Sequence, residues 1–152
     1  MGADNEVKSN TFDECVHPTV DAVLATVVSA PYAISSSLTI EPAPGHTMGH
    51  ALMHLESEGM FAYFSGDAFH RPVQLARPEL HLPGCGDLAT TIVTRQDLVR
   101  RALDEGAFLF PAHFPAPHDG HLSVDGGEVR LVPGGAPDAG HEQVAAGFRK
   151  AD

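Results

Sequence analysis

Two adjacent segments carry the alternation of apolar and polar positions that predicts a β-hairpin. Residues 51–57, ALMHLES, alternate along their length, and residues 60–67, MFAYFSGD, return as a strongly apolar strand. Residues 58–59, EG, are short enough to form the turn between them. We therefore expect His50 and Asp67, at the open end of this hairpin, to lie close together in space.

Further strands follow from short apolar runs that are bounded by turn residues. Residues 37–44, SLTIEPAP, predict a short strand that prolines end. Residues 107–113, AFLFPAH, predict a buried strand that delivers His113 at its end. Residues 121–132, HLSVDGGEVRLV, predict a hairpin around Asp125-Gly126-Gly127.

Residues 9–28 have apolar residues at helical spacing and predict a helix. Thr11 with Glu14 makes a capping-box pattern near its beginning. Pro18 lies inside the pattern, so we expect a break or a second helix start there.

The clearest helical pattern spans residues 91–107. Thr94 is the expected N-cap, Asp97 completes a capping box, and Gly106 is expected to stop the helix. The preceding residues 70–90 are rich in proline and glycine and lack periodicity, which predicts a long loop. The order helix, strand, hairpin, helix, strand, hairpin indicates an α/β layer architecture.

A chain of 152 residues suggests one domain that is long enough to bury a real core. The domain is expected to span residues 10–133. Residues 1–9 are predicted to be a disordered N-terminus, and residues 134–152 a flexible tail.

Charge and composition exclude several classes of partner. The formal net charge of -11 disfavours nucleic acid and anionic membrane surfaces, because both are polyanions. No window approaches the ~20 apolar residues that a membrane-spanning helix needs, and the first residues lack the apolar core of a secretory signal. Cys15 and Cys85 form no CxxC pair, so we expect reduced thiols in a cytoplasmic protein.

Three of the predicted strands have a potential metal ligand at one end: His50, Asp67 and His113. Imidazole nitrogens and carboxylate oxygens suit Zn(II), Fe(II) or Mn(II), and an aspartate can bridge two ions. Gly49 and Gly66 beside these residues fit tight turns that aim side chains at one point. Spacing alone leaves a second interpretation open, because histidines at strand ends are also common as hydrogen-bonded residues that bind no metal.

The sequence resembles the metallo-β-lactamase-fold hydrolase superfamily. Residues 44–50, PGHTMGH, are similar to its GHTxGH motif, residues 65–69, SGDAF, to its GD motif, and residues 111–115, PAHFP, to its last-histidine motif. The longer strings SGDAFHRPVQLARPEL and FPAHFPAPHDGHL most resemble its lactonase-like and methyl-parathion-hydrolase-like branch. The likeness implies half of an αββα sandwich over residues 10–133, with one mixed β-sheet layer and flanking helices.

By position, the resemblance implies that His50 binds a first metal ion, His113 a second, and the catalytic Asp67 bridges both. Zinc would form the dinuclear centre of the complete fold, with iron or manganese as alternatives. A metal-bound hydroxide would then attack a small-molecule lactone, ester or phosphotriester. Three further residues are expected at the substrate pocket: His70, Arg71 and His118.

The chain lacks the first signature of the superfamily, HxHxDH, which supplies four ligating positions in the complete enzymes. The resemblance therefore implies a C-terminal half only, a truncated or split form that is weakly active or inactive alone. We expect pairing with a separate N-terminal half, or self-association, through an apolar sheet face. That face is predicted to contain Leu52, His54, Phe61 and Tyr63. Two alternatives stay open: a non-catalytic remnant that binds a partner chain, and a mononuclear metal-binding module.

Overall fold

The computed structural model describes residues 12–81 and 86–134, and these form one mixed β-sheet with helices. The predicted disordered start at 1–9, nearly all of the predicted tail at 134–152, and Cys85 lie outside the described residues. The strands are β1 (Tyr32–Ala33), β2 (Leu38–Pro42), β3 (Ala51–Ser57), β4 (Met60–Gly66), β5 (Phe108–Pro111), β6 (Gly120–Asp125) and β7 (Glu128–Pro133).

The seven strands lie side by side in sequence order, and this topology determines which ends meet. Neighbouring strands are antiparallel except β4 and β5, which are parallel. Both predicted hairpins, β3 with β4 and β6 with β7, are confirmed. In the first, Glu58 and Gly59 both have positive φ, 53° and 77°, as a type I′ turn requires.

The N-terminal helix is shorter than its sequence pattern predicts. A π-helical turn at Phe12–Val16 leads into α1 (His17–Asp21), which has Pro18 in its first turn, so a second start near this proline is confirmed. The prediction that the helix continues to residue 28 is wrong. Its periodic valines find no surface to pack against, since Val23 and Val27 are almost fully exposed, and helices in proteins are stabilised mainly by such packing.

The long helix of the domain begins earlier than predicted. The segment 70–90 is not one loop, because it contains the short α2 (Val73–Ala76) and the first turn of α3 (Leu88–Asp104). The N-cap of α3 is Asp87, whose carboxylate accepts a hydrogen bond from the Thr90 amide at 3.2 Å, so the prediction of Thr94 as the cap is wrong. Gly106 follows the helix end with φ 60°, as expected.

Helix α3 covers one face of the sheet and forms the core with it. Its buried residues Leu98, Val99 and Ala102 belong to one apolar cluster with strand residues that include Leu52, Tyr63, Leu109, Leu122 and Val129. The predicted unpartnered face was therefore assigned to the wrong side of the sheet. Leu52 and Tyr63 are buried beneath α3, and alternation along a strand separates two faces without revealing which one a helix will cover.

The opposite face of the sheet is apolar and partly open to solvent. Met53 pairs in register with Phe64, and Phe64 pairs with Phe110, so these three side chains share this face. The Phe64 and Phe110 rings stack with centroids 4.9 Å apart. Met53 remains 39% exposed and Val132, at the far edge, 48% exposed. The sheet therefore has one face that α3 covers and a second, apolar face whose side chains are less buried.

Candidate metal centre

The topology of the sheet brings Asp67 and His113 to the same edge. Asp67 follows the last residue of β4, and His113 lies two residues beyond β5. Because β4 and β5 are parallel, their carboxyl ends point in the same direction. The result is a contact of 2.6 Å between His113 Nε2 and Asp67 Oδ1.

His50 approaches the same edge from the start of β3 and is fixed by two hydrogen bonds. Its Nδ1 donates to the carbonyl oxygen of Ala43 at 2.8 Å, and its Nε2 accepts from the backbone amide of Asp67 at 3.0 Å. The two bonds set the tautomer of the neutral ring. His50 is thus adjacent to Asp67, as the hairpin predicted, but both of its nitrogens are engaged with the backbone.

Gly66 permits this close approach. It has φ 50°, and a Cβ atom at this position would lie 3.0 Å from His50 Nε2. A larger residue would therefore be strained in its backbone and would push the imidazole away from the Asp67 amide. The predicted role of this glycine in a tight turn beside the site agrees with the geometry.

The loop that contains His46 is tied to the beginning of α3. The Thr94 hydroxyl donates to Pro44 O at 2.6 Å, and the amide of Asp87 donates to Gly45 O at 3.0 Å. A Cβ on Gly45 would lie 2.5 Å from the Cα of Thr91, so only glycine fits between loop and helix. The position of His46 is therefore set by the packing of α3.

Histidines surround the carboxylate of Asp67. Its Oδ1 accepts from His113, and its Oδ2 lies 3.4 Å from Nε2 of His46. Partial burial acts to raise the pKa of Asp67, but the hydrogen bond from His113 and the charges of His46, His113 and His70 outweigh it. The pKa of Asp67 is consequently lowered. The carboxylate is held in its ionised, metal-binding form.

His70 completes the group. Its ring stacks on that of His113, with centroids 4.7 Å apart and planes at 6°, and its centroid lies 5.1 Å from that of His46. Burial, followed by the charge of His113, lowers the pKa of His70 and favours the neutral ring. Within the described part of the chain, the buried Nδ1 of His70 has no hydrogen-bond partner.

Gln74 holds the turn that carries His70. This side chain is only 2% exposed. Its Oε1 accepts hydrogen bonds from the amides of His70 and Arg71, at 2.7 and 2.9 Å, and its Nε2 donates to Leu80 O at 2.8 Å. From the sequence, Gln74 was expected only as a residue that could line the pocket, and its buried structural role was not predicted. Its position between apolar residues in the segment VQLA is the signal that could have indicated burial.

Arg95 supports the same turn from α3. The residue is 1% exposed. Its Nε donates to Ala68 O at 2.6 Å, and its Nη1 donates to Pro78 O and Leu80 O at 2.9 and 2.7 Å. Sequence reasoning missed this residue too. The available signal was a charged residue three positions before Leu98, on the side of α3 that faces the core.

Arg71 and His118, the other two residues predicted at the substrate pocket, make no described side-chain contact with Asp67, His70 or His113. Arg71 is exposed, and its backbone amide is the part that bonds to Gln74. His118 is exposed and donates from Nδ1 to Phe114 O at 2.8 Å. Their contact with a substrate stays a prediction.

Asp67, His70 and His113 form a set of donors that fits a transition metal ion. One ligand atom from each residue lies within 4.8 Å of the other two. Two imidazole nitrogens and one carboxylate oxygen suit Zn(II), Fe(II) and Mn(II). The unpartnered Nδ1 of His70 supports this fit, since a buried polar atom without a partner is costly. The three residues present can therefore hold an ion at this edge of the sheet.

Comparison with solved structures shows a shared fold. AidC, described as a dizinc quorum-quenching lactonase in complex with a product, matches with TM-score 0.65 and 19% identity, over 84% of this chain and 46% of its own. AbOPH, described as a hydrolase in the β-lactamase superfamily, matches with TM-score 0.74 and 22% identity, over 85% of this chain and 45% of its own.

A probable metal-dependent hydrolase from Staphylococcus aureus matches with TM-score 0.57 and 15% identity, over 61% of this chain and 33% of its own. No protein-family model and no curated protein sequence matches the chain. Within the described ranges, no helix combines the length and apolarity needed to cross a membrane.

The chain thus spans somewhat less than half of the length of AidC and of AbOPH, and at these identities the likeness concerns the fold. The partial coverage agrees with the predicted C-terminal half. The mixed sheet with its flanking helices has the fold of about half of a metallo-β-lactamase superfamily hydrolase.

Proposed function

We propose that this chain carries part of the metal centre of a metal-dependent hydrolase that acts on small lactones, esters or phosphotriesters. The observation that carries the proposal is the contact between Asp67 and His113 at one edge of the sheet, with His50 bonded to the Asp67 amide. Donors of these types at a sheet edge suit a zinc ion, and iron and manganese are alternatives.

His50, Asp67 and His113 are the proposed metal-binding residues, and Asp67 would bridge two ions. A bound metal would lower the pKa of water and polarise the scissile bond of the substrate. The residues of this chain would hold that site in shape, because His46 and His113 orient the two carboxylate oxygens. His70, Arg71 and His118 are the proposed pocket residues.

A second polypeptide segment is part of this proposal. The 152 residues contain no HxHxDH sequence, and the sheet has one apolar face with Met53 39% exposed. We propose that an HxHxDH-bearing N-terminal half, or a second copy of this chain, covers that face. The chain alone would then be weakly active or inactive. A cytoplasmic location, inferred because Cys15 and Cys85 form no CxxC pair in the sequence, stays a prediction.

The experiment combines the purified chain with a separately produced HxHxDH-bearing N-terminal half from a structurally similar lactonase. Hydrolysis of a lactone, an aryl ester and a phosphotriester is measured with added Zn(II) or Mn(II). The proposal expects metal-dependent turnover of at least one substrate in the mixture and a rate near background for either half alone. Binding of the two halves without turnover would favour the alternative of a non-catalytic, partner-binding remnant.

A further inference from the structure

We propose that Asp67, His70 and His113 form a self-contained site for one divalent transition metal ion, in which His70 is a direct ligand and His50 is a positioning residue. This inference rests on the proposed function only in sharing Asp67 and His113 with its metal centre. It differs in requiring neither an HxHxDH segment nor a nitrogen of His50.

The first support is the state of the two candidate histidines. Both nitrogens of His50 are already used, one by Ala43 O and one by the Asp67 amide. Recruiting His50 to a metal would leave that amide without its acceptor. His70 is in the opposite situation, because its buried Nδ1 has no partner among the described residues.

The second support is distance. The three donors lie within 4.8 Å of one another, and donors around a tetrahedral zinc ion with bonds of about 2.0–2.2 Å stand roughly 3.3–3.6 Å apart. Small side-chain movements would bring the three donor atoms from within 4.8 Å to the spacing of a zinc site. The hydrogen bond from His113 Nε2 to Asp67 Oδ1, 2.6 Å long, would open to admit the ion.

The third support is the rigidity of the turn that joins two of the ligands. Asp67 and His70 are three residues apart, and the turn between them is fixed at both ends. Arg95 donates to Ala68 O, and Gln74 accepts from the His70 amide. Metal sites need ligands that are held in place by such surrounding bonds. The arrangement therefore pre-positions His70 beside Asp67 without using its side chain for structure.

His46 supplies an outer partner for the proposed site. Its Nε2 lies 3.4 Å from Asp67 Oδ2, the oxygen that does not contact His113. With Oδ1 turned to the ion, this contact would keep the carboxylate plane oriented. The site then has three ligands from this chain and open positions for solvent or substrate.

The test is titration of the full-length chain with Co(II), which serves as a coloured probe for a zinc site, followed by competition with Zn(II). We expect visible d–d bands that saturate at one ion per chain. His70→Ala should weaken the dissociation constant at least about 100-fold, because loss of an outer partner alone already costs about 10–100-fold. His70→Asp, which restores an oxygen ligand, should recover much of the affinity and shift the band positions.

Two further variants separate the possible roles. His17→Ala is the matched control, since His17 is exposed and contacts Asp13 far from the site in sequence, and it should bind Co(II) like the wild type. His50→Ala should weaken binding less than His70→Ala and leave the band positions unchanged. Circular dichroism confirms that each variant is folded before it is titrated.

The outcomes distinguish this inference from the proposed function. Wild-type affinity in His70→Ala, or a wild-type chain that binds no Co(II), overturns the inference. If His50→Ala rather than His70→Ala abolishes binding, the inference fails while the proposed metal centre stands. Saturable binding through His70 with no turnover in the two-part assay leaves the inference intact and refutes the hydrolase.

Discussion

His113 Nε2 lies 2.6 Å from Asp67 Oδ1, although 46 positions separate the two residues in the sequence. The parallel pairing of β4 with β5 produces this contact, because it places the carboxyl ends of both strands at one edge. Helix α3 packs on one face of this sheet, and its Arg95 donates a hydrogen bond to Ala68 O in the turn between Asp67 and His70. The proximity of Asp67 and His113 thus depends on the connection between β4 and β5, which contains α2 and α3.

Removing the charge of Asp67 should abolish metal binding without unfolding the domain. Asp67→Asn keeps the shape of the side chain and can still contact His113, but a neutral amide is a poor ligand for zinc. Metal content after dialysis against Zn(II), measured by elemental analysis, should fall to background. Asp104→Asn is the control, because Asp104 pairs with Arg100 on the exposed side of α3. Equal zinc in both variants would contradict the assignment.

Arg95 should contribute far more to stability than its neighbour Arg100. Arg95→Met removes the side-chain donor from the carbonyls of Ala68 and Pro78, and it removes one of the two donors from Leu80 O, which keeps Gln74 Nε2. A loss of about 3 kcal/mol in the free energy of unfolding follows, since hydrogen bonds to charged groups contribute about 1.5–3 kcal/mol each. Arg100→Met removes only exposed pairs with Asp97 and Asp104 and should change little. Urea unfolding measures both, and similar losses would refute this role of Arg95.

The pH dependence of stability should report on Glu41. This carboxylate accepts two hydrogen bonds from Arg101, at 2.7 and 3.2 Å, and one from His54 at 3.1 Å. Burial acts to raise the pKa of Glu41, but the bonds and charges of Arg101 and His54 outweigh it, so the pKa lies below its ordinary value of 4.5. Folding therefore favours the ionised form.

The sign of this effect is fixed by that shift. The contribution of Glu41 to stability is complete above pH 4.5 and is lost as the pH falls through the lower, folded-state pKa. The free energy of unfolding of the wild type should thus decline on acidification below this point, and Glu41→Gln should decline less steeply. Measurements by urea unfolding at a series of pH values test this. Parallel curves for the two proteins would show that Glu41 is not responsible.

Tyr63 should affect how the free energy of unfolding changes at alkaline pH. Burial and the 2.5 Å hydrogen bond that its hydroxyl donates to Glu105 raise its pKa above the ordinary value of 10. The neutral phenol is therefore favoured by folding, and its contribution is lost as the pH rises beyond 10. Tyr63→Phe should remove that part of the alkaline decline. An unchanged alkaline limb would contradict the shifted titration of Tyr63.

The open face of the sheet should drive association of the isolated chain. Met53→Lys places a charge among Phe64 and Phe110 and should shift the sedimentation of the protein toward the monomer at equal concentration. Val93→Lys is the control, because Val93 is an exposed apolar residue on α3, away from that face. A wild-type chain that sediments as a monomer over a wide concentration range would contradict the proposed pairing.

The strands and both hairpins could be predicted because alternation and turn residues are local signals. The proximity of His50 and Asp67 followed from the first hairpin. The three motifs correctly predicted that this chain shares its fold with the solved hydrolases. The side of the sheet that α3 covers could not be predicted, since alternation defines two faces but ranks neither. The N-cap at Asp87 was missed because Thr94 offered an equally good local pattern, while its hydroxyl is in fact bonded to Pro44 O.

The position of His70 beside Asp67 and His113 also could not be predicted from local sequence. Its stacking on His113 depends on the crossover between β4 and β5 and on the turn that Gln74 and Arg95 hold. Buried polar residues of this kind depend on distant backbone partners, which no sequence window contains.

X-ray absorption spectroscopy of the chain and of its Asp67→Asn and His113→Ala variants, each incubated with the same zinc and then dialysed, tests the central claim most directly. We expect a zinc spectrum with imidazole and carboxylate ligands in the wild type, and loss of bound zinc in both variants. An identical zinc environment in all three proteins would place the ion elsewhere and contradict the proposed centre.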